Sequence, residues 1–132
     1  MGAPLRAIYG ICLLAGMSTH AGTVWRHGLF WDYGGVPQFT RAYWTSLTFL
    51  DPLAAILLLV APRVGLVATL SIISTDVAHN IWFFQRYQIP FNWILAAQCA
   101  FLVFVLATIS GAWRRTKAPK GSASARSVRK AP

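Results

Sequence analysis

Residues 64–84, VGLVATLSIISTDVAHNIWFF, are long enough and apolar enough to cross a bilayer, yet carry Asp76, His79 and Asn80 in their second half. A membrane-spanning helix needs about 20 mostly apolar residues, and this stretch supplies them. The whole chain has only three acidic residues, all aspartate. A charged side chain at the centre of a lipid-facing helix costs about 2.5–3.5 kcal/mol on insertion scales. The polar face of this helix must therefore turn towards other helices, and a bundle is required. Asp76, His79 and Asn80 stand at i, i+3 and i+4, on one side of the helix.

Three more stretches qualify as spans, giving four at roughly 5–25, 43–61, 64–84 and 90–113. The chain of 132 residues is 56% hydrophobic and 11% charged, whereas a soluble domain has about 25% charged residues. The expected class is all-α, an integral membrane four-helix bundle. Residues 1–113 form the bundle and 114–132 a disordered basic tail with too few apolar residues to bury a core. APRVG (61–65) reads as a tight turn and QRYQIP (85–90) as a short link. Gly34, Gly35 and Pro37 mark turns in the longest connection, 26–41.

Net charge is +9, and seven of the twelve cations lie in the last 19 residues. With the N-terminus inside, the inner side carries Arg6, Arg63 and those seven, and the outer side only Arg26, Arg41 and Arg86. The excess of inner Lys and Arg places both termini in the cytoplasm. The Arg and Ala bias points to a bacterial inner (plasma) membrane. Trp25, Trp31, Trp44, Trp82 and Trp93 fall near the outer boundary and Trp113 near the inner one, where indole rings prefer to sit. Residues 1–22 also admit a reading as a cleaved signal peptide, with Arg6 before the apolar run. That run continues to Trp25, so a retained first span is expected. Cys12 and Cys99 lie in separate apolar stretches without metal spacing and read as packing residues.

Depth separates the polar residues from the rest. Asp51 falls near the midplane of the second span, Asp76 just outward of centre, and His79 and Asn80 about 8–9 Å outward at 1.5 Å per residue. His20 in the first span and Gln98 in the fourth also lie in the outer half. The inner half is Leu, Ile, Val and Ala with a few Ser and Thr. A pocket opening outward accounts for this one-sidedness. Trp44, Thr48, Asp51 and Ala55 share a stripe, and so do Cys12, Gly16 and His20, whose small residues let helices approach closely. Facing acids in such a pocket would titrate as one unit. Pro52 leaves the Thr48 carbonyl without a helical donor, so the second span is expected to kink or to split into two half-helices at Asp51.

The stretch YWTSLTFLDPLAA (43–55), with a Trp seven positions before Asp-Pro-Leu, resembles the start of a later helix in the EXPERA family of four-helix membrane proteins. That family includes emopamil-binding sterol isomerase and the sigma-two receptor. STH (18–20) and His79 sit where the family carries comparable residues. The resemblance implies a lipophilic cavity holding paired acids. Asp51 matches one of them, with His27 or Asp32 nearest to the other. The chain has no glutamate, so the isomerase's acid–base glutamates have no counterpart.

The expected function is binding of a small lipophilic or amphipathic ligand, with acid–base chemistry open. The ligand-binding candidates are Asp51, Asp76, His79, Asn80, His20, Trp44 and Gln98, and the catalytic candidates Asp51, Asp76 and His79. An accessory subunit of a membrane complex, its polar cluster serving as interhelical glue, is the second reading. A haem carrier with His20 and His79 as axial ligands at equal depth is the third. Expected partners are membrane lipids, the lipophilic molecule, and a protein partner or second copy. Nucleic acid, a resident cofactor and a metal are not expected, since no phosphate loop, nucleophile elbow or metal motif is visible.

Overall fold

In a computed structural model, residues 2–116 are described; the tail beyond them, and its expected disorder, lie outside the described residues. Four helices follow one another: α1 (Gly2–His27), α2 (Gln38–Val60), α3 (Pro62–Arg86) and α4 (Trp93–Arg115). Each is long and apolar enough to cross a membrane. The chain is an all-α, multi-pass membrane bundle.

The helix ends follow from local chemistry. α1 stops at Gly28, whose φ of 83° is the left-handed conformation that glycine adopts without strain, and whose N–H donates to the Val24 carbonyl at 2.8 Å. The next residues turn tightly around Asp32, which accepts from Gly34 N through Oδ1 at 3.0 Å and from Gly35 N through its carbonyl at 3.1 Å. Pro37 then launches α2. α2 and α3 are joined by the single residue Ala61, with Pro62 starting α3 where no N–H is needed. Asn92 caps α4, its Oδ1 accepting from Leu95 N at 3.0 Å.

α2 runs unbroken through Pro52, so the two half-helices expected at Asp51 do not form. Leu47, Ala54, Ala55 and Leu58 are buried on either side of the proline. Their packing against the neighbouring helices holds the one register despite the missing hydrogen bond.

The bundle has a hinge end, where α1 starts, α2 turns into α3 and α4 finishes, and a loop end opposite. The core of Tyr9, Leu13, Leu58, Leu66, Val105 and Ala112 lies mostly towards the hinge end. Tyr9 is fully buried there; its hydroxyl pairs with Thr108 Oγ1 at 2.6 Å and its ring meets Phe101 and Phe104 edge-on. Gly65 makes the hinge possible, since a Cβ there would overlap the backbone of Leu57 and Leu58. The exposed large side chains, among them Ile11, Phe49, Leu59, Val67 and Val103, are the surface a bilayer would cover.

Candidate functional site

Towards the loop end the dry packing gives way to polar contacts. Asp76 and Asn80 are one helical turn apart on α3 and both only 7% exposed. Asn80 Nδ2 donates to Asp76 Oδ1 and to Gln98 Oε1 on α4, each at 3.0 Å. Gln98 Nε2 donates to Asp76 Oδ2 at 2.8 Å, and Trp44 Nε1 on α2 donates to Asn80 Oδ1 at 3.0 Å. Trp44, Asn80, Asp76 and Gln98 thus form one network across three helices. Both oxygens of Asp76 are engaged, which removes most of the cost of burying it.

Asp51 is different. It is 5% exposed and, among the described residues, its carboxyl receives no hydrogen bond. Its Oδ2 sits against Gly16 of α1, where a Cβ would stand 3.4 Å away. A methyl group at Gly16 would touch the acid, and a larger side chain would crowd it.

Asp51 and Asp76 both line a cavity of about 380 Å³ bounded by all four helices. His20, Thr19 and Gln98 add polar groups to its wall, and Ile73, Phe101 and Leu13 apolar ones. The lining residues Ala15, Ser18 and Thr19 of α1 and Trp93, Ile94 and Ala97 of α4 are exposed, whereas both aspartates are buried. The mouth therefore lies between α1 and α4, on the side of the bundle. α1 packs far more extensively on α2 than on α4, which leaves that seam open.

The structure brings Asp51, Asp76, His20 and Gln98 to the cavity. Trp44 and Asn80 stand behind it and hold Asp76. His79 is not part of the cavity wall. Its ring is surrounded by Tyr43 at 4.9 Å, Trp82 at 5.5 Å, Phe39 at 5.6 Å, Trp44 at 6.3 Å and Phe83 at 6.4 Å, and its Nε2 is buried without a partner. His20 and His79 thus do not face a common space, and the bis-His arrangement is not formed. His27, the last residue of α1, and Asp32, in the α1–α2 loop, are both exposed, His27 stacked on Trp31 at 4.3 Å. The second acid beside Asp51 is Asp76, not either of these.

The wall residues Trp93, Ile94, Ala97 and Phe101 had no part in the expected site. They were readable in principle, because 94 and 101 stand at i−4 and i+3 from Gln98 and 97 follows 94 at i+3, spacings that share a helix face. Among the described residues no group of three or more His, Cys, Asp and Glu gathers as a metal site.

Four helices able to span a membrane define the class, a small polytopic membrane protein. No protein-family profile, curated protein or solved structure matches the chain, so the class rests on its own residues.

Proposed function

We propose that the protein binds a small lipophilic molecule bearing one polar group, taken in from the side between α1 and α4. The observation that carries this reading is Asp51, a buried carboxyl without a hydrogen-bond partner that faces a cavity otherwise largely apolar. Its carboxyl opens into that cavity, where a ligand hydroxyl or amine would supply the missing hydrogen bond. Asp76, clamped by Asn80 and Gln98, sets the geometry of the floor, while Asp51 and His20 are the groups free to exchange a proton with a ligand. The cavity volume falls within the range of small-molecule sites, roughly 300–1,000 Å³. The similarity of residues 43–55 to the EXPERA family supports a paired-acid cavity for lipophiles, with Asp51 and Asp76 as the pair. Location in a bacterial inner membrane with cytoplasmic termini, and the division into a bundle over 1–113 and a basic tail over 114–132, belong to the same proposal.

The test is extraction of the purified protein with organic solvent, followed by mass spectrometry. A lipophile enriched in the wild type should be lost from Asp51→Asn and from Gly16→Leu, which fills the space against Asp51, while helical circular dichroism stays unchanged. Identical extracts from all three proteins would end the ligand reading. They would favour the accessory-subunit alternative, in which Trp44, Asn80, Asp76 and Gln98 serve only to hold helices together.

A further inference from the structure

The hinge end holds a second recess, of about 560 Å³, between the start of α1, the α2–α3 hinge and the end of α4. Arg6, Arg63 and Arg115, from three different helices, all line it. Among the described residues no carboxylate does. The chain has only Asp32, Asp51 and Asp76 to offer. Asp32 is in the loop at the opposite end, and the other two belong to the mid-bundle cavity.

Among the described residues the arginines are positioned by neutral groups alone. Arg6 Nη1 donates to the Leu58 carbonyl at 3.2 Å. Arg63 Nε donates to Thr116 Oγ1 at 3.3 Å, and its guanidinium lies 5.8 Å over the Trp113 ring. Arg115 makes no side-chain hydrogen bond to any described residue. A guanidinium has five N–H donors in a planar fork suited to phosphate, so most of these donors are unspent. Three cations held close together repel one another unless an anion joins them. The recess lies at the ends of membrane-crossing helices, the level at which lipid phosphates sit. Ala61, Val64 and Ala112 give it an apolar side.

We propose that Arg6, Arg63 and Arg115 form a binding site for the phosphate headgroup of an anionic phospholipid, separate from the mid-bundle cavity. Basic recesses between membrane helices bind anionic headgroups in this way. Phosphate is the chemistry recognised, and the lipid is its source.

The test is native mass spectrometry of the full chain in detergent, titrated in separate arms with phosphatidylglycerol, phosphatidylcholine and inorganic phosphate. Phosphatidylglycerol should be retained preferentially. Its affinity should fall about fivefold for each arginine changed to glutamine and roughly a hundredfold for Arg6→Gln, Arg63→Gln and Arg115→Gln together. Because the triple variant removes contacts to Leu58 and Thr116, Arg115→Gln alone is the decisive single change. A full-chain variant with Lys117, Lys120, Arg126, Arg129 and Lys130 changed to glutamine should still bind. The proposal is overturned if Arg115→Gln binds as wild type does, if the tail variant loses binding, or if phosphatidylcholine or inorganic phosphate binds as well as phosphatidylglycerol.

Discussion

Asn80, an uncharged residue, ties three helices together through bonds to Trp44, Asp76 and Gln98. Asn80→Ala would strand the Trp44 N–H and one oxygen each of Asp76 and Gln98, and should cost about 1–3 kcal/mol. Tyr43→Phe removes a single bond to Thr75, whose hydroxyl also bonds the Ser71 and Ile72 carbonyls, and should cost only about 0.6 kcal/mol. Unfolding in mixed micelles, followed by tryptophan fluorescence, orders the two; equal losses would remove Asn80 from its central place. Asp51→Asn breaks no bond within the described residues and should leave stability within about 0.5 kcal/mol of wild type by the same measurement. A large loss there would mean Asp51 is structural. The shared face of Asp76 and Asn80 was legible in the sequence. The place of His79 was not. His79 and Asn80 are consecutive and so point about 100° apart. Spacings of i, i+3 and i+4 span an arc wide enough for one member to enter an aromatic nest while the others meet α4.

At the scale of elements, hydropathy located all four crossings and their order. It missed helix ends by up to five residues, α2 beginning at Gln38 rather than near 43. The first turn of α2, Gln38 to Arg41, is helical but polar apart from Phe39, so apolar length falls short of the whole helix. The α2–α3 turn was legible from Pro62 and Gly65, but the closeness of the two backbones was not, since no pattern reports that distance. Gly65→Ala should destabilise the fold by about 1–3 kcal/mol, because the hinge would have to shift to admit the methyl group. Gly22→Ala, with no atom within 4 Å of the new Cβ, should be neutral or stabilising by up to about 1 kcal/mol. Thermal unfolding of the two variants side by side is the check, and matching losses would place the close approach elsewhere.

Among the described residues the molecule is packed dry towards one end and polar towards the other. The charge bias gives a topology prediction: a fluorescent protein fused to the C-terminus should glow, and an alkaline phosphatase fused there should be inactive. The reverse result would invert the orientation and put the arginine recess in the outer leaflet. The opening between α1 and α4 was beyond the sequence, because it depends on how tightly α1 seats against α2 relative to α4. The one-residue link at Ala61 also bears on biogenesis. With no slack between α2 and α3, neither can leave the translocon and settle alone. Each would carry one aspartate into hydrocarbon at a cost of about 2.5–3.5 kcal/mol. Released as a hairpin, they bring both acids in together, Asp51 towards the place Gly16 of α1 takes and Asp76 towards that of Gln98 on α4.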